Sequence, residues 1–253
     1  MNILLSPTKT MIQPTIELNY FENSKPSFKS KAKLINSALR KLSKKELQNL
    51  MKLSDNLAEE TYYNLNEWGN SDNEKHPAVL TYFGTAFKHL NAQNWSDDTA
   101  IYAQSHLIIL SGLYGLLKPY DMVEKYRLEM GLKFKLIDGF SNLYDFWNQD
   151  IINYLNEFNS DKPIINLASN EYFKVINKYS YFDKIINCTF LENSNGKLKV
   201  IANHSKAARG SMANFILQNK LTNPEQLKEF KELNYQYNFI KSDELNFVFT
   251  RKN

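Results

Sequence analysis

Three short apolar runs set the terms for this chain. Asn2 to Leu5, Leu107 to Leu110 and Ile164 to Leu167 are too short for helices and read as buried strands. Each breaks off at once into small and polar residues: Ser6-Pro7-Thr8-Lys9-Thr10, Ser111-Gly112-Leu113-Tyr114-Gly115 and Ala168-Ser169-Asn170-Glu171-Tyr172. Helical stretches separate the runs, and sheets built from such crossovers take ligands beyond the carboxyl ends of their strands. If the three strands are parallel neighbours, the three clusters share one cleft.

The remaining segments supply the rest of the architecture. Residues 11 to 29 lack periodicity, contain Pro14 and Pro26, and read as loop. Ala32, Ile35, Ala38, Leu39 and Leu42 lie at helical spacing, Ser43 to Glu46 is a capping box, and Ser54 or Asp55 opens a third helix that ends near Trp68-Gly69. Ala78 to Phe83 reads as a strand, Gly84 to Leu90 as a short helix, and Ser96-Asp97-Asp98 as the start of another helix. Asn142 to Phe158 is an amphipathic helix. Lys184 to Leu191 and Lys197 to Ala202 pair around the turn Asn193 to Gly196. Ser205 to Lys220 and Pro224 to Phe230 are helical, and Tyr237 to Ile240 and Leu245 to Thr250 are strand candidates. Strands that interleave with helices early and pair locally late predict an α/β fold of mixed type. Its mixed sheet is surrounded by helices, in one domain over residues 1–253.

Two segments carry the chemistry of an anion site. After Leu110, Pro119 is set for a first helical turn, and Asp121, Glu124, Lys125, Arg127 and Glu129 follow before Gly131. Strand, glycine turn and charged helix is a build that aims backbone N–H groups at an anion, with Arg127 and Glu129 paired beside it. Further on, Lys206 and Arg209 are three residues apart near the start of a helix, where the dipole disfavours cations and an anionic partner would restore the balance. Ser6 with Lys9, and Glu171 beside Tyr172, are the available nucleophile or acid/base groups. A Walker loop and a dinucleotide fingerprint are missing, and the four histidines lack metal-ligand spacing, so neither a cofactor nor a metal is expected.

Charge is distributed unevenly. The net charge is +4, but between Ser24 and Lys52 nine basic residues face the single acid Glu46. A local excess of that size holds a polyanion or forms a solvated helix face. Cys188 is the only cysteine, in the apolar run IINCTF, so no disulfide can form within the chain. The N-terminus lacks a basic region before its short apolar run, and no run reaches the length of a membrane span. The expectation is a soluble cytoplasmic protein.

The motifs LLSPTKT, LSGLYGLLKPYDMVEKYRLEMG, LYDFW, NLASNEYFKVI and KAARGSMANFI stand in one order along the chain. In these the sequence resembles the YaaA family of peroxide-stress proteins over nearly its whole length. It departs at Gly84-Thr85-Ala86-Phe87, where the family commonly reads Gly-Asp-Val-Tyr. The resemblance implies a cytoplasmic bacterial protein that limits oxidative damage by keeping unincorporated iron low. It also implies a positively charged cleft that binds DNA, with a helix-hairpin-helix-like element expected at Ser111 to Pro119. The residues expected to meet DNA or another anion are Ser6, Lys9, Gly112, Gly115, Lys118, Arg127, Ser169, Lys174, Lys206 and Arg209. DNA contacts of this kind are sequence-independent and salt-sensitive. The alternative is an enzyme for a nucleotide or other small anion in the same cleft, with Glu171 and Tyr172 as acid/base. Glu171→Gln separates the two: DNA binding tolerates it, whereas an enzyme loses rate.

Overall fold

The computed structural model describes residues 1–15, 24–133, 135, 137–159, 162–177, 185–194 and 196–252. Lys184, Asn195 and part of the loop expected over residues 11 to 29 lie outside the described residues. The first half runs β1 (Asn2–Leu5), β2 (Thr10–Met11), α1 (Lys29–Leu39), α2 (Lys44–Met51) and α3 (Asp55–Glu67). Next come β3 (His76–Pro77), α4 (Ala78–Thr81), β4 (Tyr82–Phe83), α5 (Thr85–Leu90), α6 (Asp97–His106), β5 (Leu107–Ser111), β6 (Gly115–Leu117) and β7 (Met122–Val123). The second half adds α7 (Leu143–Asn159), β8 (Ile164–Leu167), α8 (Asn170–Asn177), β9 (Ile185–Ser194), β10 (Lys197–Lys199), α9 (Ala202–Gln218), β11 (Gln236–Tyr237) and β12 (Asn246–Lys252).

The principal sheet has the order β11-β12-β9-β8-β1-β5-β6, with β10 hydrogen-bonded to β9. Its five central strands are parallel, and β6, β10 and β11 add antiparallel pairs, so the sheet is mixed as expected. β1 is the hub: Ile3 pairs in register with Leu107 on one side and with Ile165 on the other. Every residue of β1, β5 and β8 is buried, which is why these runs read as continuously apolar rather than alternating. All three strands therefore end at one edge of the sheet, with their polar clusters together. α9 lies across β1, β8 and β9 on the way back.

The capping box at Ser43 and Glu46 is present, and both halves of the hairpin around Asn193 to Gly196 form, with β9 longer and β10 shorter than expected. Three expectations change. Ala78 to Phe83 is a single helical turn followed by a two-residue strand, because Thr81 Oγ1 donates to the Pro77 carbonyl and holds the turn closed. Of Tyr237 to Ile240 only the first residue is in a strand, and Phe239–Lys241 turns as a 3₁₀ helix capped by the Asn238 side chain. The charged helix after Pro119 does not form.

That last difference has an electrostatic cause. Asp121 and Glu124 are buried, not solvated. Asp121 accepts from the Lys118 N–H at 2.9 Å and from Ser24 Oγ at 2.7 Å. Glu124 accepts from the Gly69 N–H at 2.6 Å and from Asn73 Nδ2 at 2.7 Å. Both carboxylates thus satisfy donors on distant loops, and the chain stays extended to reach them. The expected helix-hairpin-helix segment, Ser111 to Pro119, begins as the antiparallel turn from β5 into β6, with Ser111 opposite Gly115. Gly115 has φ +74°, and a Cβ there would stand 2.7 Å from the Trp147 ring.

Candidate functional site

The edge where β1, β5 and β8 end is tied together by side chains from five segments. Ser6 follows β1, and Ser169 follows β8. The Ser169 N–H donates to Ser6 Oγ at 2.8 Å, and Ser6 Oγ donates to Ser169 Oγ at 3.2 Å. Lys9 forms an ion pair with Glu129 at 2.6 Å, while Arg127 Nη1 reaches the Lys9 carbonyl at 3.4 Å. Glu129 is therefore paired with Lys9 rather than with Arg127. Glu171, in the first turn of α8, accepts from the Gly131 N–H at 3.1 Å.

The N-terminus of α5 joins the same edge. A Cβ on Gly84 would stand 2.9 Å from Thr8 Cγ2, and Thr85 Oγ1 donates to Asn203 Oδ1, in the first turn of α9, at 2.7 Å. Sequence reasoning missed this contact, although Gly84-Thr85 is where the chain departs from the commonest family pattern. The convergence of Ser6, Lys9, Arg127, Ser169 and Glu171 is thus built from direct contacts.

Other expected site residues are placed differently. Gly112 and Gly115 are buried. A Cβ on Gly112 would lie 2.6 Å from the Leu128 carbonyl oxygen, so the Leu128–Glu129 backbone packs directly against it on that side. The Gly112 carbonyl instead accepts from Trp147 Nε1 at 2.9 Å. Lys118 is partly buried, its N–H bound to Asp121. Lys174 is exposed, with Nζ 5.0 Å from the centre of the Tyr144 ring. α9 begins at Ala202, three residues earlier than expected, so Lys206 and Arg209 lie beyond the first turn. They do not share a solvent face: Lys206 is exposed, whereas Arg209 is partly buried with its Nε sealed off.

Behind this edge lies a buried hydroxyl chain that the sequence did not flag. Tyr126 OH is 2.6 Å from Ser111 Oγ and 2.7 Å from Tyr82 OH, and Ser111 Oγ also accepts from the Tyr114 N–H. Burial pushes Tyr126 up to about 12, and pushes Tyr82 and Tyr172 well above the usual phenol range. These phenols stay neutral and act as fixed hydrogen-bonding groups. Among the described residues, no cluster of three His, Cys, Asp or Glu is placed to hold a metal, and no helix is long and apolar enough to cross a membrane.

The basic segment forms a groove of its own. Lys29 and Lys33 of α1 and Arg40, its C-cap residue, line an opening of about 420 Å³ that is also lined by Trp68, Gly69 and Asn70. Lys31 is tied to Asp150 and Lys44 to Glu59, but Lys29, Lys33 and Arg40 have no ion pair among the described residues. Two residues past α3, the Gly69 N–H is anchored on buried Glu124. That carboxylate thereby fixes the wall opposite the lysines.

Residues 1–240 match the family model described as Peroxide stress protein YaaA. A UPF0246 protein of Colwellia psychrerythraea is 42% identical, the match covering 100% of this chain and 99% of the relative. One from Francisella tularensis subsp. novicida is 41% identical over 99% of this chain and 100% of its own length. A third, from Legionella pneumophila strain Corby, is 40% identical over 97% and 98%. On a match of this extent, with the motifs of all the converging segments inside it, the chain belongs to the YaaA family of peroxide stress proteins.

Proposed function

We propose that this protein acts in the peroxide stress response by binding DNA without sequence preference, and that this binding helps to limit iron-linked oxidative damage. The observation that carries the reading is the α1 groove, where three cations without ion pairs among the described residues face an aromatic and amide wall. Lys29 and Lys33 are one helical turn apart, and Arg40 follows two turns later on the same stripe, a spacing suited to successive phosphates. Exposed Lys9 and partly exposed Arg127 extend positive charge to the sheet edge, although Glu129 offsets part of it. The enzymatic alternative has no comparable support among the described residues: Glu171 is engaged by the Gly131 N–H and Tyr172 is buried.

The test is an anisotropy titration of a labelled duplex over a range of salt. With three to five phosphate contacts the logarithmic slope should be about −3 to −5. Lys33→Gln and Arg40→Gln should each lower it by about one, with little dependence on duplex sequence. A titration that is flat in salt, or variants with an unchanged slope, refutes the reading.

A further inference from the structure

Helix α3 buries three side chains, Ala58, Thr61 and Leu65, and Thr61 is the polar one. It is 2% exposed, yet its hydroxyl has no hydrogen-bond partner among the described residues. Glu60, Thr61 and Asn64 lie at helical spacing on one stripe of α3, and all three line a cavity of about 70 Å³. Lys125 and Arg127 line the same cavity. No hydrogen bond or ion pair joins the α3 stripe to either cation, and Lys125, half-buried, has no such partner among the described residues. Arg127 spends only Nη1, on the Lys9 carbonyl at 3.4 Å. Polar groups gathered around a small space without bonding one another call for an occupant that bonds them, because a buried polar group left unmatched is costly.

The frame of this cavity is held without any occupant. Tyr126, between the two cations in the chain, is fixed by its hydroxyl contacts with Ser111 and Tyr82, and its N–H donates to Met11 Sδ at 3.4 Å. Charge then decides the class of occupant. Lys9, also on the cavity, is offset by Glu129 at 2.6 Å. The uncommitted charges are therefore two cations, Lys125 and Arg127, against the exposed acid Glu60, a balance that favours an anion. Size decides the rest. A space of about 70 Å³ holds roughly five to seven waters or one tetrahedral oxyanion, and falls far short of the about 300–1,000 Å³ that drug-sized ligands take.

We infer that the cavity between α3 and Lys125–Arg127 is a site for one inorganic tetrahedral oxyanion of the phosphate or sulfate class. Arg127 and Lys125 supply charge-assisted hydrogen bonds, and the Thr61 hydroxyl and Asn64 amide supply neutral ones. Glu60 opposes the anion's charge and holds affinity down. The cavity shares no lining residue with the α1 groove. The site therefore goes beyond the DNA-binding reading and does not depend on it.

The experiment is calorimetric titration of the full chain, in buffer free of oxyanions, with inorganic phosphate, with sulfate, and with glycine as a small zwitterion. Saturable binding of phosphate or sulfate at one site is expected, and none of glycine. Arg127→Gln and Lys125→Gln should each weaken it by about tenfold or more, the loss of a hydrogen bond from a charged group. Thr61→Val, which keeps the shape and removes the hydroxyl, should weaken it by about threefold to tenfold. Glu60→Gln should tighten it, because an exposed repulsive charge is removed. The double variant Lys33→Gln/Arg40→Gln should keep phosphate binding while losing affinity for DNA. The inference is overturned if neither oxyanion binds the parent, which leaves the cavity to water. It is equally overturned if glycine binds instead, if Glu60→Gln weakens oxyanion binding, or if Arg127→Gln and Lys125→Gln bind as tightly as the parent. The parent and Glu60→Gln measurements decide the matter even if Thr61→Val does not fold.

Discussion

Gly210→Ala sets two magnitudes of opposite sign against each other. Gly210 lies inside α9, where replacing Gly by Ala ordinarily stabilises a helix by about 1 kcal/mol. Here a Cβ would stand 1.9 Å from the Ala86 carbonyl oxygen and 2.8 Å from its carbon. Real Cβ contacts essentially never fall below 3.0 Å, so the two backbones must separate by about 1.1 Å. The obstacle is main chain on both sides, and no rotamer change relieves it. The separation also strains the Thr85–Asn203 hydrogen bond and the contact of Gly84 with Thr8. Overpacking of this kind costs about 1–3 kcal/mol, and the rigid contact places the cost at the upper end. The expected net loss is therefore about 2 kcal/mol, which at this chain length lowers the melting midpoint by about 4–8 °C. Urea unfolding at constant m-value measures it directly. A gain of about 1 kcal/mol, the propensity value alone, would show that α5 and α9 do not touch through their backbones.

Two further outcomes follow from burial and charge. Burial pushes the Cys188 thiol up to about 12, so iodoacetamide at pH 8 should leave it unmodified in the native protein and label it fully in denaturant; fast native labelling contradicts the structure. Burial raises the Glu192 carboxyl, but hydrogen bonds from Tyr235 and Arg251, with the charges of Arg251 and His204, outweigh it and hold the pKa below its ordinary 4.5. The stability Glu192 contributes is present above pH 4.5 and is lost as pH falls below it, so Glu192→Gln should flatten that part of an acid-unfolding profile. An unchanged acid limb in the variant rules out the pairing.

The parts of the fold that could be read in advance are those with a local cause. β1, β5 and β8 announced themselves because strands covered on both faces need no polar alternation, and the Ser43–Glu46 cap is complete within four residues. Their shared edge followed from topology. Asp121 and Glu124 misled because charges at helical spacing look the same whether they face water or bind distant donors, here the Ser24 hydroxyl for Asp121 and the Gly69 and Asn73 N–H groups for Glu124. Gly112 and Gly115 read as ligand glycines, and nothing in the sequence signals that Leu128 and Trp147 pack so closely on them. The α1 groove needed Trp68 and Asn70, and the Tyr126 hydroxyl chain needed Tyr82, 44 residues earlier. No window of sequence contains such pairs.

The position of β1 also bears on how the protein is made. Ile3 leaves the ribosome well before its register partners Leu107 and Ile165, which follow 104 and 162 residues later. At synthesis rates of about 5–20 residues per second, an apolar strand destined for the middle of the sheet waits roughly 8–30 s for its second neighbour. Until β5 emerges, after about 5–20 s, both of its edges are open to any other strand, including the same segment of a neighbouring nascent chain, and the edge meant for β8 stays open for the rest of the interval. Folding yield should therefore depend on synthesis rate and on early shielding of residues 1 to 6 far more than on the final stability of the sheet.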